Sequence, residues 1–161
     1  MNRFATLALT AGGLGFLRPA SGTWGSLPPA IVAGLMVWLG AGTWAVNGVL
    51  VLFLIGGSLA CLAFGNSAET VFGKKDPGEV VADEVAGQAL TLLALPWPGD
   101  GRSIAMLALI GFLSFRVMDI IKPPPARGLQ RLSGGLGILI DDLLAAIYAA
   151  IVTQIAARWL F

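Results

Sequence analysis

Residues 103–125 read SIAMLALIGFLSFRVMDIIKPPP, an apolar run that stops at three consecutive prolines. About 20 apolar residues are enough to cross roughly 30 Å of hydrocarbon, and proline cannot continue a helix because it has no amide donor. The stretch from Ser103 to Ile121 therefore predicts a membrane-spanning helix that ends at the prolines. Its last turns carry Arg116, Asp119 and Lys122 at intervals of three residues, which places a polar stripe at one end of an apolar rod.

The rest of the chain has the same character. Hydrophobic residues make up 57% of its 161 residues and charged residues only 12%, whereas about 25% of the residues in a soluble domain are charged. We expect a single membrane-embedded domain over residues 1–161, an all-α integral membrane helical bundle with four or five membrane helices. The other segments predicted to span or to enter the membrane are Leu27 to Val46, Asn47 to Gly65, Val80 to Trp97 and Leu136 to Trp159.

Three further predictions concern a turn, a short segment and the start of the chain. The Asn47-Gly48 pair predicts a tight turn between the first two spans. The segment Val80 to Trp97 is short, so it either spans marginally or enters the membrane partway. The first stretch, Asn2 to Phe16, resembles the start of a signal peptide but lacks the usual cleavage pattern, so we expect an interfacial helix that is retained.

Composition excludes several kinds of activity. A net charge of +1 argues against a nucleic-acid partner, which requires a clustered basic excess. The chain has no histidine, which excludes histidine phosphatases, zinc sites with paired histidines and imidazole-dependent serine triads. The single cysteine, Cys61, lies in an apolar run and is expected to be a core residue.

Most of the carboxylates are concentrated in three short blocks. The blocks are Asp76, Glu79, Asp83 and Glu84, then Asp119, then Asp141 and Asp142. A carboxylate near hydrocarbon is costly, and neighbouring carboxylates repel one another unless cations hold them. The pattern predicts a metal site at a membrane, although a solvated loop that complements a helix N-terminus and a salt-bridge ladder along Arg116, Asp119 and Lys122 remain as alternatives.

Basic residues predict which side of the membrane these acids face. If the segment after Val80 crosses, one side carries Arg3, Arg18, Lys74, Lys75, Lys122, Arg127 and Arg131, and the other carries only Arg102 and Arg158. The richer side is expected to be cytoplasmic. The same assignment brings all three acidic blocks to that face, so we expect active-site loops on the cytoplasmic side.

Two glycine-containing turns are candidates for phosphate binding. In the turn 18–26, Arg18, Thr23 and Ser26 offer charge and hydroxyl groups, although an ordinary capping turn fits equally well. Gly134 and Gly135 begin the helix that carries Asp141 and Asp142, and free amides at a helix N-terminus favour an anion.

Together these segments resemble the phosphatidylglycerophosphatase A family. The resemblance rests on Gly22-Thr23-Trp24-Gly25-Ser26, on Asp76-Pro77 to Asp83-Glu84 with Gly87, on Phe115-Arg116 to Asp119 with Lys122-Pro123, and on Gly134-Gly135-Leu136-Gly137-Ile138 to Asp141-Asp142. It implies a magnesium-dependent enzyme of the bacterial inner membrane. Such an enzyme removes the terminal phosphate of phosphatidylglycerophosphate and yields phosphatidylglycerol.

Residue chemistry agrees with this resemblance, because Mg²⁺ prefers oxygen ligands and a metal-loaded acid cluster attracts a phosphate monoester. We expect Asp83, Glu84, Asp119 and Asp142 to be catalytic. The expected metal ligands are Asp76, Glu79, Asp83, Glu84, Asp119, Asp141 and Asp142. The expected phosphate-binding residues are Arg18, Thr23, Ser26, Arg116, Lys122 and Arg131. The expected partners are the membrane and a phospholipid substrate, and the oligomeric state is left open.

Two other functions compete with this interpretation. A small cation carrier or channel would also use carboxylates in the membrane, but only Asp100 lies near the far end of the bundle and basic residues are interleaved with the acids. An alcohol phosphatidyltransferase would require a run of spaced aspartates on one long helix, which the sequence lacks.

Overall fold

The structure is a computed structural model that describes residues 1–126 and 134–161. The described residues form α-helices and no strand, which confirms the all-α prediction. The helices are α1 (Arg3–Leu9), α2 (Ser21–Trp38), α3 (Thr43–Phe72), α4 (Ala82–Leu92), α5 (Gly101–Ile121) and α6 (Gly134–Trp159), with a short 3₁₀ turn at Leu14–Phe16.

Three of these helices, α3, α5 and α6, are long and apolar enough to cross a membrane. Helix α4 has only 11 residues and rises about 16 Å, roughly half of a hydrocarbon core. Helix α4 is therefore shorter than the segment predicted over residues 80–97 and too short to cross a membrane by itself. At the amino end, α1 is a short helix that packs on α3, with the Phe4 and Phe64 rings edge to face at 6.0 Å.

The first two predicted spans have the wrong boundaries. Helix α2 ends at Trp38 and α3 begins at Thr43, so the reversal lies at residues 39–42, where Gly40 has φ +81°. Asn47 and Gly48 lie inside α3, and the Asn47 side chain accepts a hydrogen bond from the Ala94 amide at 2.8 Å. The predicted Asn47-Gly48 turn is wrong because this asparagine holds a neighbouring segment instead of reversing its own chain.

Helix α4 lies at the centre of the bundle and contacts α2, α3, α5 and α6. Nine of its 11 residues are buried. Small residues allow α4 to lie between its neighbours, because Ala82, Ala86 and Ala89 have no side chain beyond Cβ to separate the helices. The start of α4 carries Asp83 and Glu84, so both acids are placed inside the bundle near one end.

A close crossing of α3 and α6 brings a second pair of acids to the same end. A β carbon at Gly135 would collide with the backbone carbonyl of Cys61, so only glycine fits at this crossing. The crossing is fixed by hydrogen bonds from the Gly134 amide to Glu69 Oε2 at 3.1 Å and from the Gly135 amide to Asn66 Oδ1 at 3.0 Å. About two turns further along α6, Asp141 and Asp142 point into the interior and are each 2% exposed.

Gly135→Ala is expected to lower the stability of the detergent-solubilised protein by about 1 to 3 kcal/mol, the usual cost of overpacking. The physical reason is that the colliding group is backbone of α3 and cannot rotate away. Gly56→Ala is the matched control, because a β carbon at this α3 position meets no atom within 4 Å. Thermal unfolding followed by tryptophan fluorescence measures both variants. Equal midpoints for the two variants would contradict the proposed crossing.

Candidate active site

Five carboxylates from three helices meet at one end of the bundle. They are named the acid cluster and consist of Asp83, Glu84, Asp119, Asp141 and Asp142. Carboxylate oxygens of Asp83, Glu84 and Asp142 lie within 4.8 Å of one another. Asp83, Asp119, Asp141 and Asp142 are buried and Glu84 is half-buried. The sequence prediction that distant acidic blocks converge is confirmed for these five residues.

Two cations from α5 are in contact with the acid cluster. Arg116 pairs with Asp119 at 2.9 Å. The Lys122 ammonium lies 3.6 Å from both Asp119 and Asp142 and also pairs closely with Asp141. Lys122 reaches inward because it terminates α5 in a left-handed conformation, with φ +47°, where the chain turns towards the prolines. Lys122 thus joins the acids of α5 to those of α6.

The two cations do not neutralise the five acids. Among the described residues, if every carboxylate is ionised, three negative charges remain in a largely buried volume, where charges are poorly screened. Each uncompensated buried charge is unfavourable by several kcal/mol. The charges of the described residues therefore suit the cluster to bind protons or cations from solution.

Several side-chain oxygens are placed as ligands for such a cation. One buried oxygen from each of Asp83, Glu84, Asp141 and Asp142 has no hydrogen-bond partner within the described residues. A carboxylate oxygen that is both buried and unpaired is costly, and a divalent cation bound among these oxygens removes that cost. The donor set is all oxygen, which suits Mg²⁺, Mn²⁺ or Ca²⁺ better than softer metals.

Hydrogen-bond donors suited to a phosphate group lie beside the acids and form one wall of the site. The buried Ser26 hydroxyl donates to the Gly22 carbonyl at 2.8 Å and accepts from Arg116 Nη1 at 3.3 Å. Arg116 Nε is buried and has no partner among the described residues. Gly22 keeps this wall open, since a β carbon there would contact both Glu84 Oε1 and the Arg116 guanidinium. A guanidinium with an unused donor is suited to bind a phosphate oxygen.

The remaining predicted acids lie at the rim. Glu79 pairs with Lys74 at 3.0 Å and with Arg18 at 3.4 Å, and the hydrogen bond from Lys74 lowers the pKa of Glu79. Asp76 sits on the loop before α4, and its amide donates to Glu69 Oε1 at 3.5 Å. Although Asp76 as a whole is exposed, desolvation of its carboxyl and the negative charge of Asp141 raise its pKa. The carboxylate grouping formed by Asp83, Glu84 and Asp142 includes neither rim acid.

The predicted phosphate-binding residues differ in their placement. Ser26, Arg116 and Lys122 line the acid cluster, whereas Arg18 is exposed and engaged with Glu79, and Thr23 is half-buried in the first turns of α2. Arg131 lies outside the described residues. So does Arg127, one of the basic residues used to predict the orientation in the membrane. The hypothesis that the Gly134 and Gly135 amides cradle a phosphate is wrong, because Glu69 and Asn66 already accept their hydrogen bonds.

Sequence reasoning missed three polar residues that shape the site. Asn66 and Glu69 of α3 anchor the start of α6, and they were overlooked because they lie at the polar end of a long apolar run. Gln88 of α4 is fully buried, and both polar atoms of its amide lack a partner within the described residues. It lies four residues after Glu84, on the same helix face. That spacing was the only signal in the sequence that could have identified it.

Comparison with known proteins gives a consistent result. The family model described as "Phosphatidylglycerophosphatase A" matches residues 7–157. No solved structure matches the chain.

Three curated relatives match along most of their length. A Bacteroides thetaiotaomicron protein named "Putative phosphatidylinositol-3-phosphatase" is 35% identical over 93% of this chain and 91% of its own. A Haemophilus influenzae protein named "Phosphatidylglycerophosphatase A" is 37% identical over 92% of this chain and 85% of its own. An Escherichia coli protein of the same name is 34% identical over 86% of this chain and 74% of its own.

Glu84→Gln is expected to change thermal stability in two opposite ways. Without divalent cations the variant should unfold at a higher temperature than the wild type, because it removes one of the repelling charges. With Mg²⁺ or Mn²⁺ the wild type should gain about 2.7 kcal/mol at a hundredfold excess over Kd, and the variant should gain much less.

Glu79→Gln is the matched control for this experiment. Its carboxylate pairs with Lys74 and Arg18 at the rim, so the stabilisation by divalent cations should be retained. A wild-type midpoint that does not respond to any divalent cation would contradict a metal site in the acid cluster. The same conclusion would follow if Glu84→Gln responded as fully as the control.

Proposed function

The chain belongs to the phosphatidylglycerophosphatase A family, and on that premise we propose that it hydrolyses the terminal phosphate monoester of phosphatidylglycerophosphate. The products are phosphatidylglycerol and inorganic phosphate. Two relatives carry the name of this activity and match most of the chain. The substrate is a phospholipid, which agrees with a bundle that has three helices able to cross a membrane.

One juxtaposition carries the proposal. Carboxylates of Asp83, Glu84 and Asp142 converge within 4.8 Å, and beside them the half-buried Arg116 has a buried Nε donor that no described residue uses. The first group is suited to cations and the second to phosphate oxygens, so a phosphate monoester is attracted to a place where its charge is neutralised from two sides. Acids alone would repel the substrate, and bases alone would bind phosphate without activating water.

We propose Mg²⁺ as the cofactor, held by Asp83, Glu84 and Asp142 with support from Asp119 and Asp141. When bound, the metal supplies charge neutralisation at the phosphoryl oxygens and lowers the pKa of water. Arg116 and Lys122 bind the non-bridging oxygens, and Ser26 fixes the guanidinium through its hydroxyl. We assign Asp76 a supporting role at the rim, with Arg131 as a further phosphate-binding residue.

The reaction displaces the glycerol oxygen from phosphorus. A water oxygen forms a bond to phosphorus, the bond between phosphorus and the glycerol oxygen breaks, and the leaving oxygen takes up a proton. A carboxylate of the acid cluster accepts the proton from the attacking water. Direct attack by an aspartate is the alternative route, and it predicts that rapid quenching traps labelled phosphate on the protein, whereas attack by water predicts none.

We place the site at the cytoplasmic face of the bacterial inner membrane. The excess of lysine and arginine at the acid-bearing end supports this orientation. The bundle then has four or five membrane helices, with α2 and the central α4 added to the three long spans. Ion carriage is not favoured, because the family and the named relatives are phosphatases.

Removal of divalent cations tests the metal requirement. Detergent-purified protein should release phosphate from phosphatidylglycerophosphate, and the rate should fall to background after EDTA treatment and return when Mg²⁺ is restored. Phosphatidylinositol 3-phosphate is the comparison substrate, because one relative bears a name for that activity. Faster release from the phosphoinositide would contradict our choice of substrate, and undiminished release after exhaustive chelation would contradict the metal mechanism.

Asp142→Asn should lower phosphate release by at least about 100-fold, since it removes a charged ligand from the centre of the cluster. Asp100→Asn is its matched control. Asp100 caps α5 through a hydrogen bond from the Ser103 amide at 2.9 Å, and asparagine is an equally good cap. The control should keep wild-type turnover. Near-normal turnover by Asp142→Asn in correctly inserted protein would remove this residue from the site.

A further inference from the structure

A continuous apolar groove runs along the seam between α2 and α5. Its upper part is a cavity of about 250 Å³ lined by Leu27, Ala30, Ile31, Ala108, Leu109 and Phe112. Its lower part is a cavity of about 340 Å³ that adds residues of both helices as far as Trp38 and Gly101. Ala30, Ile31 and Ala108 line both cavities, so the two form one groove.

The groove begins directly below the phosphate-binding wall of the site. Ser26 precedes Leu27 on α2, and Arg116 lies one helical turn after Phe112 on α5. The hydrogen bond from Arg116 Nη1 to Ser26 Oγ, at 3.3 Å, crosses the seam at its upper end. Polar donors therefore close one end of an otherwise apolar groove, as a lipid with a phosphate head group and a hydrocarbon tail requires.

The dimensions of the groove fit one acyl chain. From Leu27 to Trp38, α2 rises about 16 Å, close to the thickness of one leaflet, which is half of about 30 Å. Ala30, Gly34 and Ala108 leave the bottom of the groove unfilled, because their side chains are a methyl group or a hydrogen. The rims remain open, since Ile31 is 58% and Leu109 is 54% exposed. A chain can thus enter sideways from the bilayer.

A second apolar cavity, of about 390 Å³, is less suited to the substrate. It is lined by residues of α1 and α3, by Ala11 and Pro28, and by the α4 residues Ala82 and Val85. These two residues lie on a different face of α4 from Glu84, so the helix itself separates that cavity from the acid cluster. Unlike that cavity, the α2–α5 groove shares its upper end with Arg116.

We propose that the α2–α5 groove binds one acyl chain of the lipid substrate while Arg116 holds its phosphate. This inference rests on the proposed function and adds a chain-length-dependent subsite to it. A chain held in the groove keeps the lipid in register with the acid cluster, so substrates with long chains gain binding energy that substrates with short chains lack.

Gly34→Phe tests the groove by filling its lower half. A β carbon at Gly34 meets only Ala108 Cβ at 3.5 Å and Ile104 Cγ2 at 4.0 Å, so the side chain can enter without a backbone collision. For dipalmitoyl phosphatidylglycerophosphate, kcat/KM should fall roughly tenfold through KM, the effect of displacing about two buried methylene groups. For the dihexanoyl lipid, whose chains end in the upper part, kcat/KM should be unchanged.

Gly48→Phe is the matched control. It places the same side chain on the membrane helix α3, where a β carbon at Gly48 meets no atom within 4 Å, and it should affect neither substrate. Ala105→Phe, which fills the groove from the exposed side of α5, provides a second variant if Gly34→Phe does not fold. Equal losses on both substrates, or no loss on the long-chain lipid, would overturn the groove and indicate that it is covered by ordinary bilayer lipid.

Crosslinking separates the failure of this inference from the failure of the proposed function. A phosphatidylglycerophosphate analogue with a diazirine at the end of one chain needs no turnover to label the wild-type protein. Labelling should fall on the groove-lining residues of α2 and α5 and should be lost in Gly34→Phe. Labels confined to other helices would overturn the groove, whereas absence of phosphate release with correct labelling would overturn the activity alone.

Discussion

Uncompensated negative charge inside an apolar bundle is the constraint on which the rest of this structure depends. Five carboxylates from α4, α5 and α6 meet at one end, and only Arg116 and Lys122 oppose them among the described residues. With the charges of the described residues alone, such an arrangement is stable only if protons or cations bind there from solution. The same excess negative charge makes the site suited to a cation, which is the basis of the metal site proposed above.

The bundle brings these acids together because small residues let its helices pack closely. Alanines on α4 and the glycine at the crossing of α3 and α6 let backbones approach, so a helix of 11 residues can lie at the centre of three long ones. Asn66 and Glu69 then bind the amides that begin α6 and fix the direction in which Asp141 and Asp142 point. The geometry of the acid cluster therefore depends on packing by small residues and on these local hydrogen bonds. With a different tilt of α6, neither acid would reach Lys122.

Much of this was predictable from the sequence. Acids in an apolar chain carry a clear physical cost, and this cost predicted their convergence. The apolar runs predicted the all-α class. Ser26, Arg116 and Lys122, which were predicted to bind phosphate, lie beside the cluster. Helix boundaries were less predictable. Asn47-Gly48 has the composition of a turn but lies inside α3, because the Asn47 side chain bonds to Ala94 from a distant segment. Likewise, the sequence did not indicate that Glu69 and Asn66 of α3 accept hydrogen bonds from the glycine amides that begin α6. That the Gln88 amide has no partner among the described residues can be recognised only once its burial is known.

The central claim is that the acid cluster holds a divalent cation, and the position of that ion can be measured directly. Crystals of the protein grown with Mn²⁺, a spectroscopically and crystallographically visible substitute for Mg²⁺, should show anomalous density among the carboxylates of Asp83, Glu84 and Asp142. Fully loaded protein with its manganese elsewhere, or with no ordered manganese at all, would contradict the account.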